Sequence, residues 1–377
     1  MTRHIIAATC AFGIESVLSD ELKSLGYDGL NTENGRVLFQ GDDRDIARCN
    51  INLRTADRLF IRLAEFRAFD FEELFQGVLG IDWENFIPME GIMHVVGKSV
   101  RSKLHSVPDC QSITKRAVIE AMRRKHKIEI FEEKGPLYRI EVALNRDTAT
   151  ISLDTSGEGL HRRGYRLSRG EAPLRENIAA AVVLLSRWDK TRPFIDPFCG
   201  SGTIPIEAAM IGRRIAPGIR RKFASEGWVS IPDRIWKTAR EEARDLENID
   251  SFSIMASDID RHVFDSARIN AREAGVEGNI IFQRKSVSEL SSRKKYGCVV
   301  CNPPYGKRLS TGTEAAGIYR EMGKVFPGLD TWSCFILSGN EDFERHFGRK
   351  ADRNRKLYNG KIKTYLYQYL GPLPGKR

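Results

Sequence analysis

Asn302-Pro303-Pro304-Tyr305 brings together residue types suited to chemistry on a flat ring that carries an amino group. Each proline lacks an N–H and has a fixed φ, so the carbonyl before each ring is left free to accept a hydrogen bond. The Asn302 side-chain oxygen is a second acceptor beside it. Two acceptors held about 3 Å from one point suit a planar –NH2 group, and Tyr305 can stack on the ring that bears it. Such a pair draws electron density onto the nitrogen and orients its lone pair. No strong base is needed if the proton leaves after the nitrogen has become tetrahedral. The plainer alternative is a surface turn, since Pro-Pro and Pro-Tyr-Gly are common turn formers.

The elements that must position this corner follow from the flanking pattern. Cys298–Cys301 is a short apolar run that ends in the polar corner, as a buried strand of a parallel sheet does. Its two cysteines flank Val-Val with no second pair or His cluster nearby, so they read as core and not as a metal site. Upstream, a short strand ending at Asp196 runs into Pro197-Phe198-Cys199-Gly200-Ser201-Gly202 and then a helix, which tolerates Pro205 in its first turn. The turn is neither a phosphate loop nor the dinucleotide G-x-G-x-x-G motif. A strand-end carboxylate beside a tight glycine turn suits a ligand bearing an amino group or a positive charge.

Ser253 to Asp260 repeats the form: a strand ending in Asp258, then a helix over 263–274 closed by Gly275. An acid at the tip of a second strand is the usual partner of ribose hydroxyls in doubly wound sheets. Further strands are expected at 280–284, 298–301 and 333–337, with a terminal hairpin from Lys356–Tyr358 and Thr364–Leu370. The segment 213–250, with Arg213-Arg214 and Arg220-Arg221-Lys222, is expected to be an insertion over the site. Strands alternating with helices give a parallel α/β sheet with its site at the carboxyl ends of the strands.

The N-terminal half is organised differently. Residues 1–66 read as β-α-β-α-β and fit a small ferredoxin-like α+β unit. The pattern restarts from Asp70, with a helix at 71–79, a strand at 91–98, a basic connector that includes Lys103, a helix at 111–127 and strands at 137–144 and 148–154. On that helix Arg116, Arg123 and Lys127 share one side and Ile113, Ala117 and Ala121 another. With the basic connector, this is a candidate face for phosphate contact as well as an ordinary solvated face. Residues 160–177, rich in Gly, Arg and Pro, read as a linker. His161, between arginines, reads as a polar neighbour and not a catalyst.

Hydrophobic residues at 41% and charged residues at 29% of 377 describe an ordinary globular protein and exclude a disordered one. A net charge of +10 favours a polyanionic partner, with nucleic acid the leading candidate. Seven scattered cysteines do not form a disulfide framework and point to the reducing cytoplasm. No run reaches the ~18 apolar residues that span a bilayer, and the N-terminus has no stretch of secretory length.

Asp196-Pro-Phe-Cys-Gly-Ser-Gly202, Asp258 and Asn302-Pro-Pro-Tyr305, in that order, resemble the S-adenosylmethionine-dependent amino-methyltransferases. Leu160-His-Arg-Arg-Gly-Tyr-Arg166, Ala172-Pro-Leu-Arg-Glu-Asn-Ile-Ala-Ala180, Ile215-Ala-Pro-Gly-Ile-Arg-Arg221 and Lys307-Arg308 narrow the resemblance. It is to the THUMP-domain RNA guanine-N2 methyltransferases, and most to the bacterial enzymes of 23S ribosomal RNA, over nearly the whole chain. The resemblance implies a ferredoxin-like unit at 1–66, a THUMP-type RNA-binding domain at 67–156 and a Rossmann-like methyltransferase domain at 157–377 with a parallel-dominated seven-stranded sheet. It implies S-adenosyl-L-methionine as cofactor, RNA as partner, and neither metal nor membrane.

By residue, Asp196, Pro197, Cys199, Gly200 and Gly202 would cradle the methionine end of the cofactor and Asp258 its ribose. Asn302, bordering the cofactor, and the Pro303 carbonyl would orient the guanine amine in a corner stiffened by Pro304, with Tyr305 stacked on the base. Many relatives place an Asp near the adenine after the third strand; here Arg284-Lys285-Ser286 stands instead, leaving Ser286 to hydrogen-bond. Lys103, Arg116, Arg123 and Lys127 would meet RNA phosphates. Transfer RNA is the alternative substrate, then adenine-N6 methylation of DNA, and in another class a noncatalytic RNA-binding assembly factor.

Overall fold

The computed structural model describes residues 3–128, 130–166, 174–304 and 312–375. The N-terminal half contains β1 (His4–Cys10), α1 (Glu15–Ser24), β2 (Asn31–Glu33), β3 (Arg36–Gly41), α2 (Asp43–Asn52), β4 (Ala56–Arg67), α3 (Phe71–Leu79), β5 (Ile92–Val100), α4 (Val107–His126), β6 (Leu137–Asn145) and β7 (Thr148–Asp154). The C-terminal half contains α5 (Glu176–Leu185), β8 (Phe194–Asp196), α6 (Thr203–Arg213), α7 (Asp233–Asp245), β9 (Ile254–Asp258), α8 (Val263–Glu273), β10 (Ile280–Arg284), β11 (Cys298–Cys301), α9 (Gly312–Val325), β12 (Ser333–Ser338), α10 (Phe343–Phe347), β13 (Arg353–Asn359) and β14 (Ile362–Tyr369).

Local chemistry sets many of these boundaries. Asp42 caps α2 by accepting from the Arg44 and Asp45 N–H groups at 2.8 and 3.3 Å, and Asp45 returns the bond to the Asp42 N–H. Asp70 caps α3 by accepting the Glu73 N–H at 2.8 Å, and Glu73 accepts from Phe69 N–H at 2.6 Å. All four residues of β11 are buried, as expected of a central parallel strand.

The N-terminal strands form one seven-stranded sheet in the order β2-β3-β1-β4-β7-β6-β5. The ferredoxin-like and THUMP-type units read from the sequence are two halves of that sheet. The twelve-residue β4 pairs with β1 on one side and β7 on the other, so it belongs to both. The second sheet runs β10-β9-β8-β11-β12-β14-β13. Its first five strands are parallel, and β14 is antiparallel to both β12 and β13. Strand order reverses between β8 and β11, and the crevice at the carboxyl ends of such neighbours is where doubly wound sheets bind ligands.

Two expectations from the sequence are corrected. Segment 213–250 does not lie over the methyltransferase crevice; it clamps the two halves together. Trp228 stacks on Tyr138 (4.8 Å between centroids, 17°) and donates its indole N–H to Leu137 O at 3.1 Å. Gly218 N–H donates to Ile51 O at 2.8 Å, where a Cβ would lie 2.7 Å from Asn50 O. Trp236 of α7 stacks on Phe223, and α7 itself packs on α2. The charge runs in this segment suggested an insertion over the site, whereas its buried Trp228 answers to a sheet far away in the chain.

Residues 160–166 are likewise not a loose linker. Arg163 is 4% exposed and lies 3.4 Å from the fully buried Glu207 of α6, which also accepts from Tyr165 OH at 3.2 Å. Arg163 also donates to Leu160 O at 2.5 Å and to Arg54 O. His161 is surrounded by Arg175, Arg163, Arg162 and Arg221; burial above all, with these charges, lowers its pKa to about 4 and leaves it neutral. Among the described residues no helix is long and apolar enough to cross a membrane.

Candidate active site

Three strand ends meet at the crevice. Register pairs Asp196 of β8 with Ala256 of β9, and Ile195 with Val299 of β11, so Asp196, Asp258 and Asn302 leave three adjacent strands at the same edge. Asp196 is 1% exposed and its Oδ1 accepts the Phe198 N–H at 3.0 Å. Burial pushes its pKa well above the ordinary carboxylate range, and the neighbouring Asp258 adds to the rise. Burial also raises Asp258, whose oxygens accept from Asp260 N–H at 3.1 Å and Gly200 N–H at 3.0 Å. Two acids brought together with no cation acting on either among the described residues are costly for the protein alone and suit a cationic ligand rich in hydroxyl donors.

The glycine turn is built to leave room. Gly200 has φ +48° and a Cβ there would meet nothing within 4 Å, so the space beside it is open. Gly202 has φ +85°, and a Cβ would press at 3.3 Å on Ala267 of α8 and Ile206 of α6. Cys199 N–H donates to Ser257 O at 2.9 Å, and Asn270 Nδ2 donates to Ser201 O at 3.1 Å, tying the turn to β9 and α8. Pro197 sits between the Asp196 tip and this turn. Burial raises the Cys199 thiol strongly, so it stays protonated and adds no charge to the turn.

Asn302 is 9% exposed and follows the fully buried β11 directly. The corner has a support that the sequence did not reveal. Tyr319 of α9, fully buried, donates its hydroxyl to Pro304 O at 3.3 Å and shares a 3.2 Å bond with Ser338 at the end of β12. No local motif marks Tyr319; only the packing of α9 on the sheet brings it there. Tyr305, Lys307, Arg308, Ala172 and Pro173 lie outside the described residues.

Ser286 follows β10, next to Asp258 in register through Arg284, but its hydroxyl is engaged in a local cap. It accepts from Ser288 N–H at 3.3 Å while Glu289 accepts the Ser286 N–H at 2.8 Å. The cysteines of the 298–301 strand are buried, and burial lifts Cys298 to about 11 and pushes Cys301 well above the ordinary thiol value. Among the described residues no three His, Cys, Asp or Glu side chains are grouped to hold a metal ion.

The basic residues belong to the other sheet. Arg116 and Arg123 are exposed on α4, and Lys127 follows it in the left-handed conformation, φ +55°. On the same helix Lys115 pairs with Glu133 (3.2 Å), Arg124 with Glu120 (2.8 Å) and Lys125 with Glu84 (2.8 Å). Arg116 lies 5.0 Å from the centroid of the Phe75 ring and Lys103 the same distance from Phe69.

A doubly wound sheet with acids at two strand tips, a glycine turn between them and Asn-Pro-Pro at the switch point defines a nucleoside-cofactor methyltransferase. Family models match the RMKL-like methyltransferase domain at residues 163–368, the RlmL ferredoxin-like domain at 5–60 and the THUMP domain at 68–154. YpsC of Bacillus subtilis (strain 168), named as a candidate RNA methyltransferase, is 47% identical over 98% of this chain and 96% of its own. The ribosomal RNA large subunit methyltransferase K/L of Syntrophotalea carbinolica (strain DSM 2380 / NBRC 103641 / GraBd1) is 33% identical over 96% of this chain, which spans 53% of that protein. Among solved structures, SMU.472, described as a candidate methyltransferase and complexed with SAH, is 44% identical with a TM-score of 0.93 over 99% of this chain and 100% of its own. A Listeria monocytogenes str. 4b F2365 protein described as a candidate N6-adenine-specific DNA methylase is 46% identical with a TM-score of 0.93 over 99% and 97%. The chain belongs to the RMKL-like methyltransferase family, whose cofactor is S-adenosylmethionine.

Proposed function

We propose that this enzyme methylates the exocyclic N2 amine of a guanine in 23S ribosomal RNA. The observation that carries the reading is the placement of Asn302-Pro303 at the switch point, one strand from Asp196. Asp196, Pro197, Cys199, Gly200 and Gly202 hold the amino-acid end of S-adenosylmethionine and Asp258 its ribose hydroxyls; Ser286 lies toward the base. When bound, the cofactor supplies an electrophilic methyl group on a sulfonium. Asn302 Oδ1 and Pro303 O accept the two N–H bonds of the guanine amine and aim its lone pair. Pro304, anchored by Tyr319, stiffens the corner, and Tyr305 stacks on the base. Catalysis is then positioning and polarisation, with the amine proton lost after transfer. A base inside a duplex must first be flipped out.

The match to a THUMP domain and the cations Lys103, Arg116, Arg123 and Lys127 favour RNA over DNA, while Asn-Pro-Pro alone would serve an adenine N6 amine equally. The K/L relative's name favours large-subunit ribosomal RNA over transfer RNA. The deciding experiment is mass spectrometry of nucleosides from 23S ribosomal RNA, transfer RNA and DNA of a strain lacking the protein. Loss of one N2-methylguanosine from 23S ribosomal RNA supports the proposal. Loss from transfer RNA, loss of N6-methyladenine from DNA, or no loss overturns it.

Two outcomes test the assigned residues. Replacing Arg116, Arg123 and Lys127 by alanine is expected to weaken RNA binding and flatten its salt dependence by up to roughly two to three units of log–log slope. Unchanged binding in filter titrations returns the helix to a solvated face. Asp196 carries a raised pKa in the cofactor-free fold, so its contribution to stability is present below the ordinary carboxylate value and fades as pH rises through the raised one. A cationic ligand favours the carboxylate, so cofactor affinity should rise with pH over that window and uptake should release protons. Calorimetry in buffers of different ionisation enthalpy reads this; no release at any pH in the window would remove Asp196 from contact with the cofactor's charge.

A further inference from the structure

The β1–α1 turn and the tip of the β13–β14 hairpin come from opposite ends of the chain and meet in a rigid joint. Gly13 has φ +97°, and a Cβ there would lie 2.3 Å from the Lys356 carbonyl oxygen, so backbone packs on backbone. Arg355 Nη1 lies 3.3 Å from both Gly13 O and Ser16 Oγ as donor. Glu15 holds the turn from within by accepting the Gly13 N–H at 2.9 Å and the Gly35 N–H at 3.0 Å. The hairpin tip is held in turn by the Arg175 N–H, which donates to Asn359 Oδ1 at 3.1 Å.

This joint displays aromatic surface instead of burying it. Phe12 is 50% exposed and meets the Tyr358 ring edge-on, with centroids 6.2 Å apart at 75°. The exposed Lys356 places Nζ 5.4 Å from the Tyr358 centroid. Register sets the height of the pair: Ser338, the last residue of β12, pairs with Tyr365, whereas Tyr358 pairs with Lys363. The pair therefore stands about two residues, roughly 7 Å, beyond the carboxyl end of β12. That is the edge of the sheet where Asp196, Asp258 and Asn302 emerge.

We propose that Phe12 and Tyr358 form a stacking platform for an unpaired RNA base flanking the target nucleotide, with Lys356 on the adjoining phosphate. The proposal rests on the RNA reading above. Base-on-aromatic stacking tolerates any sequence because every base has a π face, and a neighbouring cation suits the attached phosphate. A target taken out of its stack leaves a neighbour that needs a new partner. Because one ring comes from each half of the molecule, the platform also ties the position of the RNA-binding sheet to the crevice.

The probe is a short single-stranded RNA of mixed sequence carrying one 2-aminopurine, titrated into the full-length protein. Stacking quenches the 2-aminopurine emission. Phe12→Ala is expected to abolish the quench and weaken binding about tenfold, with the salt slope as in the wild type because no phosphate contact is lost. Phe12→Trp restores both. Lys356→Ala keeps the quench and makes the salt slope shallower by about 0.7. In transfer to unmodified 23S ribosomal RNA, Phe12→Ala raises the KM for RNA about tenfold and leaves kcat and the cofactor KM unchanged. Wild-type affinity and quench in Phe12→Ala overturn the proposal. So does a loss accompanied by a lower thermal midpoint and not restored by tryptophan, since that assigns Phe12 to the joint alone. The titration reads RNA binding without chemistry, so failure of the platform is distinguishable from absence of guanine-N2 transfer.

Discussion

Asn302→Ala is expected to lower kcat by about two to three orders of magnitude, the cost of removing one preorganised hydrogen-bonding group from a reacting centre, while cofactor affinity stays within a few-fold. The size of the effect follows from the rigidity of its surroundings. β11 is buried along its whole length, Pro303 and Pro304 fix the chain direction, and Tyr319 holds the Pro304 carbonyl. A water replacing the amide would restore an acceptor without its orientation, and orientation is what the proposed mechanism uses. Single-turnover methyl transfer with saturating cofactor, alongside cofactor titration, separates the two quantities. Full activity in the variant would remove amine orientation by Asn302 from the mechanism.

Glu207→Leu is expected to destabilise the fold by about 3–5 kcal/mol, the range for breaking a buried ion pair from one side. Its carboxylate is fully buried, faces Arg163 at 3.4 Å and accepts from Tyr165, and it is the foremost charge acting to keep the half-buried Arg54 protonated. Removing it leaves two guanidinium groups in the interior. The double variant Arg163→Met with Glu207→Leu should lose less than the single one, because one stranded charge goes with its partner. Denaturant midpoints followed by tryptophan fluorescence test both. A single variant within about 0.5 kcal/mol of the parent, the range of ordinary surface substitutions, would show that the cluster contributes little. Arg54 follows α2 while Glu207 lies on α6, directly beyond the glycine turn, so this cluster couples the N-terminal sheet to the floor of the cofactor crevice.

The parts legible in the sequence were those written in local pattern. The strands at 280–284 and 298–301, and the helix at 71–79, stand where periodicity places them because each has its apolar residues and its stop signal within a few positions. The residues set around the crevice were also legible, since acids and glycines at strand ends lie next to the strands that deliver them. Tyr319 was not, because a buried tyrosine on the core face of a helix resembles any other packing residue until its hydroxyl is seen to reach a carbonyl.

Taken by itself, the amino-acid sequence determined the order of elements, the doubly wound character of the C-terminal half and the family to which the chain belongs. These depend on interactions between near neighbours and on short motifs. Only the tertiary structure decided that the two N-terminal units are one sheet joined through β4, that residues 160–166 are a buried polar seam, and that 213–250 is a clamp and not a lid. Each of these depends on burial against residues tens to hundreds of positions away. A charged or aromatic side chain reads the same in sequence whether it ends in solvent or against a distant partner, and packing alone separates the two.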